Sequence, residues 1–378
     1  EILREASIMI NAMTIILIVL SVLYIAYVIA EYYYNAAKRR KILKVIHVNG
    51  IRGKSTVTRL IDAGIREFGY SVVSKTTGTV PTVIGRDNVP RPIKRLGPAN
   101  VREQLKIVRK AAAQNADYLV VECMAVDPEL QYLCEKQILH ADVNVITNVR
   151  ADHLDKMGED LESIAYSLAN TTPRDGVLVL GEDAFRDVFQ RCADKQNCRL
   201  VVADKYDGEE NLDTFPENIA TALKVAEVLG FDRDTFFRGM KKYIHDPGAL
   251  AAYKIGNTVF INGFSINDPD STLEVYDTVI GKRYPGDKLT VLLNTRPDRP
   301  FRIDQHVDML TKMRFKNVII IGSNRNYVKK QLEKRGIHAQ TIKKYSELLD
   351  EEFVFGCGNI ASDGMKIVEY FKENGEEL

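Results

Sequence analysis

Polar and apolar positions along this chain fall into three regimes. From Ile8 to Ala30 no charged residue occurs over 23 positions. A helix of that length, at about 1.5 Å per residue, covers the roughly 30 Å hydrocarbon core of a bilayer. Beyond residue 43, short apolar runs alternate with stretches whose apolar residues recur at i, i+3 and i+4, the pattern of a parallel α/β sheet. The pattern predicts strands at about 44–48, 117–122, 142–147, 176–180 and 199–203, with helices at about 54–68, 99–115, 159–170, 217–229 and 233–243. A hinge is expected at His245-Asp246-Pro247-Gly248. A second series then predicts strands at about 257–261, 288–293, 317–321 and 353–356, separated by helices at about 271–280, 303–313, 325–335 and 362–373. The expected division is an anchor and basic linker over 1–43, a larger α/β domain over 44–247, and a smaller Rossmann-like α/β domain over 248–378.

The first regime reads as a single-pass membrane anchor. Tyr32, Tyr33 and Tyr34 suit the headgroup interface, and Lys38-Arg39-Arg40-Lys41 behind them place the remainder on the cytoplasmic side. A cleaved signal peptide would carry its charge ahead of the apolar run, and here the heavier charge lies behind it. Between Ser74 and Gly97 the chain is rich in Thr, Pro and Gly with little periodicity, which predicts a loop, either solvated or facing a phosphate or substrate.

Composition narrows the partners. Lys and Arg number 52 against 51 Asp and Glu, so no global field attracts nucleic acid. The five cysteines have no metal-binding spacing and read as reduced thiols.

Chemistry concentrates at three strand ends. Val45 to Val48 reads as a buried strand that stops at Gly50, and Gly50-Ile51-Arg52-Gly53-Lys54-Ser55-Thr56 follows. Gly50 and Gly53 let backbone N–H groups approach a phosphate, Lys54 supplies a mobile charge, and Ser55 a hydroxyl for Mg²⁺. A helix from Ser55 aims its positive end at the anion. The spacing is G-x-x-G-K-S-T, two places shorter than G-x-x-x-x-G-K-[ST], so a plain strand-to-helix turn stays open. Leu119-Val120-Val121 ends in Glu122, a carboxylate at the sheet edge where ligands bind in open parallel sheets. The strand 142–147 runs into Asn148-Val149-Arg150-Ala151-Asp152-His153-Leu154-Asp155, in which His153 is the histidine best placed to join a metal site.

Taken together, these stretches and Asn218-Ile219-Ala220-Thr221-Ala222 resemble, in order and spacing over about 44–270, the successive motifs of the Mur ligase superfamily, which includes the peptidoglycan amino-acid ligases and folylpolyglutamate synthase. The anchor, the G-I-R-G-K-S-T-V-T-R-L wording and Phe264-Ser265-Ile266-Asn267-Asp268-Pro269 are most similar to the ligase subunits of bacterial poly-γ-glutamate synthases. The resemblance implies a P-loop ATP-binding domain over 44–247 and a ligase domain after it. It implies ATP held by Gly50, Arg52, Gly53, Lys54, Ser55, Thr56, Asn218, Asn267 and Asp268. Mg²⁺, with Mn²⁺ as the alternative, would be held by Ser55, Glu122 and His153, and Lys54, Glu122 and His153 would be the catalytic set. Thr77 and Thr79 match the segment beside the acceptor.

Two departures stand out. Many Mur ligases carry a carbamylated lysine where Asn170 stands, and their arginine before the last domain is replaced by Pro247-Gly248-Ala249, leaving Arg296, Arg299 and Arg302 either as candidate substrate contacts or as a solvated basic loop. The implied reaction joins glutamate to a growing poly-γ-glutamate through an acyl phosphate, releasing ADP and phosphate. Implied partners are the bilayer and other membrane subunits of a synthase or export complex, with homo-oligomerisation open. A membrane-tethered ATPase that drives export, and a related ligase with another acceptor, are the competing readings.

Overall fold

The computed structural model describes residues 2–78, 80–95, 99–208, 212, 214–246, 250–266, 269–296 and 301–378; the side chains of 2–11 and 301 are not among them. These residues form two compact units, Glu1–Ile244 and His245–Leu378.

The first unit begins with α1 (Ile2–Arg39), a single helix that includes Ala12–Arg39, long and apolar enough to cross a membrane. There follow β1 (Lys44–Asn49), α2 (Lys54–Arg66), β2 (Val72–Thr76), β3 (Thr82–Ile84), β4 (Pro90–Pro92), α3 (Glu103–Ala113) and β5 (Tyr118–Glu122). Then come α4 (Pro128–Leu133), which continues as a π-helical turn over Cys134–Leu139, β6 (Val143–Ile146), α5 (Leu154–Met157), α6 (Leu161–Ala169), β7 (Val177–Leu180), α7 (Arg186–Lys195), β8 (Arg199–Val202), α8 (Pro216–Leu229) and α9 (Arg233–Met240).

The strands form one sheet in the order β4-β3-β2-β5-β1-β6-β7-β8. From β2 to β8 every pairing is parallel, and β3 and β4 add an antiparallel ribbon at one edge. A parallel sheet is covered on both faces, which is why β1 is apolar on both sides. On one face Leu60, Ile61 and Ile65 of α2 pack with Leu223 of α8 and Phe236 of α9. On the other, Ile107 and Val108 of α3 cover Val73, Leu119 and Val121, while Ile164 and Leu168 of α6 cover Leu178 and Leu180. Each such buried aliphatic side chain contributes about 1.5–3 kcal/mol.

The second unit contains β9 (Ala251–Ile255), β10 (Thr258–Asn262), α10 (Pro269–Val275), α11 (Gly281–Arg283), β11 (Leu289–Thr295), α12 (Phe301–Leu310), β12 (Asn317–Gly322), α13 (Arg325–Glu333), β13 (Ala339–Thr341), β14 (Phe353–Cys357), α14 (Asp363–Asn374) and β15 (Glu376–Glu377). Its sheet order is β13-β12-β11-β14-β10-β9-β15, parallel from β13 to β10. Phe260 and Phe371 stack at 4.6 Å between centroids in its core.

The structure corrects one sequence expectation outright. Among the described residues of 74–95 the chain forms three short strands joined by turns: β2 is buried along its whole length, β3 is buried, and β4 is exposed. Lys75 and Thr76 disguise β2 because their polarity is met by tertiary partners. Lys75 Nζ lies 3.3 Å from Gln104 Oε1 and 3.4 Å from Glu103. The periodicity also leaves out α7, the helix formed by α4 and its π-helical turn, β9 and β13.

Candidate active site

β1 ends in a loop that only glycine can form. Gly50 has φ +121° and Gly53 φ +77°. A Cβ on Gly50 would fall 2.1 Å from Thr147 Oγ1, and one on Gly53 would fall 2.2 Å from Asn218 Oδ1. Backbone therefore replaces side chain at both turns, the form of an anion cradle. Gly53 caps α2 with no side-chain acceptor on the first amides, and the first turn of α2 carries no acid. The positive end of that helix is left to an external anion. Lys54 is half-buried and its Nζ donates to the carbonyls of Gly50 (2.7 Å) and Ile51 (3.1 Å). Burial pushes its ammonium below the usual lysine range, and the Glu122 carboxylate works against that shift. Thr56 stands one turn-position further along α2.

The second strand end is Glu122, buried at 3 % exposure. Its Oε2 accepts from Ser55 Oγ at 2.7 Å and from the Thr77 amide at 2.6 Å. Gln104 Nε2 donates to the Glu122 carbonyl at 3.2 Å and so ties α3 to the same corner. Lys75 lies alongside with no exposed surface; burial lowers its pKa and Glu103 partly offsets this.

The third strand end locks the glycine loop from the other side. Thr147 Oγ1 donates to the Arg52 carbonyl at 2.6 Å, and the Arg52 amide donates to Asn148 Oδ1 at 2.9 Å. Arg52 Nη2 pairs with Asp152 Oδ2 at 3.0 Å. His153 Nε2 is 3.8 Å from that carboxylate oxygen, and the His153 amide donates to Asp152 Oδ1 at 2.9 Å. His153 has φ +51°, a left-handed conformation that costs a non-glycine residue on the order of 1–3 kcal/mol and is held by these neighbours.

Three strand ends thus meet through direct contacts at the carboxyl edge of the sheet. Gly50, Arg52, Gly53, Lys54, Ser55, Thr77, Glu122 and Asn218 belong to the cluster, and His153 joins it through Asp152 and Arg52. Among the described residues no three His, Cys, Asp or Glu side chains gather as metal ligands. The Ser55–Glu122 pair supplies the hard oxygen donors a divalent cation takes when phosphate oxygens complete its shell. Asn170 caps the C-terminus of α6, its Nδ2 donating to the Ser167 carbonyl at 3.0 Å. It lines a hollow with Tyr132, Lys136 and Lys195, to which no residue of the glycine loop contributes. In the second unit Arg296 and Arg302 line a small hollow with Asn294, His306 and Asn359 at the carboxyl end of β11. Thr79, Asn267, Asp268 and Arg299 lie outside the described residues.

The sequence reading notes the stretches that hold Lys75, Thr147 and Asn148 but gives these three no role in the site. A Thr-Asn pair directly after an apolar strand is the signal for the last two. Lys75 carries none, because a lysine in a buried strand is legible only through its partners.

Residues 48–230 match the Mur ligase middle domain, and residues 249–374 the poly-γ-glutamate synthase CapB C-terminal domain. The capsule biosynthesis protein CapB of Bacillus anthracis is 36% identical over 87% of this chain and 76% of its own length. PGA synthase CapB of Bacillus subtilis (strain 168) is 34% identical over 87% of this chain and 90% of its own. Among solved structures, a Mycobacterium tuberculosis folylpolyglutamate synthase complexed with ADP and AMPPCP superposes with a TM-score of 0.70 at 16% identity, covering 92% of this chain and 95% of that one. A bifunctional folylpolyglutamate synthase/dihydrofolate synthase with Mn, AMPPNP and L-glutamate bound gives 0.64 at 16% identity, covering 90% and 92%. At that identity the likeness is one of fold. The identity to the CapB proteins over most of both chains goes further: the chain belongs to the CapB family of poly-γ-glutamate synthases, within the Mur ligase superfamily.

Proposed function

We propose that this protein is an ATP-dependent amide ligase that extends poly-γ-glutamate, with the carboxyl edge of the first sheet as its nucleotide site. One observation carries the assignment of the site: buried Glu122 touches both Ser55 of the glycine loop and the Thr77 amide, so a carboxylate, a hydroxyl and a phosphate cradle share one corner. The relatives named PGA synthase and capsule biosynthesis protein support the substrate, and the fold neighbours with ADP, AMPPNP and Mn support a nucleotide with a divalent cation.

In this reading the amides of Gly53, Lys54 and Ser55 hold the β- and γ-phosphates, while those of Ile51 and Arg52 stay tied to Asn148. Lys54 leaves its two carbonyls to neutralise charge on the transferring phosphoryl group. Ser55 and Glu122 would hold the divalent cation, Mg²⁺ or Mn²⁺, which would supply charge neutralisation at the phosphoryl oxygens. Thr56 and Asn218 border the nucleotide, with Asn267 and Asp268 assigned there by motif. A glutamate carboxylate attacks the γ-phosphorus and ADP departs. The amine of a second glutamate then attacks the acyl carbon, phosphate departs with the former carboxylate oxygen, and the amine's proton passes to solvent or a neighbouring base. Little covalent help is needed, so positioning supplies most of the rate. Arg296, Arg299 and Arg302 are the proposed carboxylate contacts, Thr77 and Thr79 the proposed acceptor contacts. His153 orients Arg52 through Asp152 and stands next in line as a metal ligand.

Residues 1–43 serve as a single-pass anchor with the catalytic domains, 44–247 and 248–378, in the cytoplasm. A polymer bound for the outside explains tethering its synthesis to the bilayer beside other membrane subunits. The test is incubation of membranes containing the protein with ATP, Mg²⁺ and labelled glutamate, followed by sizing. Labelled polymer with glutamate-dependent ADP is expected. ATP hydrolysis indifferent to glutamate, or AMP and pyrophosphate as products, would overturn the reading.

A further inference from the structure

α1 does not stop at the membrane boundary; it continues as one helix alongside the first unit, and its contacts fix its direction. At its C-terminal end Arg39 donates to the carbonyls of Leu139 and His140 and pairs with Asp142 at 2.6 Å. Asp142 directly precedes β6, so these contacts lie at the amino edge of the sheet. Two turns earlier, Glu31 pairs with Arg102 at 2.6 Å and Arg109 at 3.1 Å, and Tyr27 Oη lies 3.3 Å from Arg102. Arg102 is the N-cap of α3, whose first turn touches the carboxyl ends of β2 and β5 through Gln104, Lys75 and Glu122. The other end of α3 returns to the amino edge, where the Asn115 carbonyl accepts from Ser71 Oγ.

Lengths agree with this path. Glu31 to Arg39 is about 12 Å of helix, comparable with the roughly 13–16 Å height of the five-residue strand β5. α1 therefore runs down the full height of the sheet from carboxyl edge to amino edge. The stretch of α1 from residue 12 to the turn before Tyr27 projects beyond the carboxyl edge, and exposed apolar side chains continue past it through Val28, Ile29 and Tyr32 to Tyr34. Tyr24 and Tyr27, side chains suited to the interface, stand one to two turns before Glu31, the first charge after the apolar run, so the aromatic belt extends from them to Tyr32, Tyr33 and Tyr34. Lys94, Arg102 and Lys106 are exposed on or beside the same edge, a charge complement to anionic headgroups.

We infer that the edge of the first sheet that carries the glycine loop faces an anionic phospholipid surface at headgroup depth, held there by the Glu31–Arg102–Arg109 clamp. The inference rests on the anchor reading above. It adds an orientation that an anchor on a flexible tether would not impose, and it places a product leaving Glu122 and Lys54 next to the bilayer.

The test uses the full chain in phosphatidylglycerol-containing vesicles, with Cys192, the one cysteine that is not buried, changed to Ser. A fluorophore is placed at Asn100→Cys, exposed before α3 at the carboxyl edge, or at Ala113→Cys, exposed at the far end of α3, and lipids carrying a headgroup nitroxide serve as quencher. The label at position 100 is expected to be quenched severalfold more than that at 113, and Glu31→Ala should shrink the contrast by freeing α1. Equal or reversed quenching, or a contrast that Glu31→Ala leaves intact, would overturn the inference. A third label at Tyr24→Cys with acyl-chain nitroxides separates the two failures. Its quenching alongside equal values at 100 and 113 sinks the orientation and leaves the anchor, whereas an unquenched label there sinks both.

Discussion

The two units present the same kind of sheet edge and equip it differently. In the first, the carboxyl ends of β1, β5 and β6 carry Lys54, Glu122 and the Arg52–Asp152 pair, charges drawn into a corner with the glycine loop. In the second, the carboxyl ends of β11, β12 and β14 are joined mainly through neutral groups: Asn294 donates to the carbonyls of Asn359 and Ala361, and Thr295 to that of Ser323, with the part-exposed Arg325–Asp363 pair at 3.4 Å beside them. Arg296 and Arg302 line a hollow beside that closure. Withdrawing ions from water costs several kcal/mol each unless partners compensate. The first edge buries Glu122 and Lys75 almost completely, whereas the Arg325–Asp363 pair at the second stays part-exposed, and the first is where we propose that a phosphate and a cation complete the network. Parallel strand ends are common to both; the chemistry lies in what stands on them.

Substitutions can break this contrast, the most damaging first. Gly53→Ala puts a methyl 2.2 Å from Asn218 Oδ1 at φ +77°, so the loop must move. A fall in kcat/KM of roughly 10²-fold or more is expected, as for displacements near 1 Å. Near-normal turnover would show that the loop is not the cradle. Glu122→Gln keeps an acceptor for the Thr77 amide and removes the charge. Activity should drop roughly 10–100-fold, with a higher Mg²⁺ concentration at half-maximal rate. A loss unaffected by Mg²⁺ would limit Glu122 to holding the loop.

Arg296→Ala tests the other edge. KM for glutamate should rise about tenfold, the effect of one charged contact near 1.4 kcal/mol, while nucleotide binding stays put. An unchanged KM would remove the arginines from the substrate site.

The smallest effect concerns stability alone. Burial disfavours charge on His47, but Cys123 and the Glu135 carboxylate at 2.9 Å outweigh it and raise its pKa to about 9. A folded-state value above the ordinary 6.5 means the contribution is full below about pH 6.5 and fades as pH rises through about 9, at most about 3 kcal/mol. The Tm advantage of the wild type over His47→Gln should therefore narrow across that range. A constant difference would show the imidazole to be neutral throughout.

Sequence periodicity carried the central strands, because parallel strands buried on both faces must be apolar, and it carried the glycine loop, because turn and close approach both demand glycine. It failed at β2, where Lys75 and Thr76 face the interior and find Gln104, Glu103 and Arg59 only in three dimensions. It failed also at α7, which buries only Val188, Phe189 and Ala193 and leaves its charged residues outside. The roles of Glu122 and Asn148 could be suspected from their place after strands, but their partners, Ser55 for one and Arg52 for the other, appear only once the sheet order is known.

The most direct test of the central claim, that the carboxyl edge of the first sheet binds and activates ATP for amide formation, is ADP release by the purified full chain with and without glutamate. The account predicts glutamate-stimulated ADP and phosphate in the wild type and none in Lys54→Ala, with an unchanged circular dichroism spectrum and Tm. Glutamate-stimulated ADP release that persists in Lys54→Ala would contradict it.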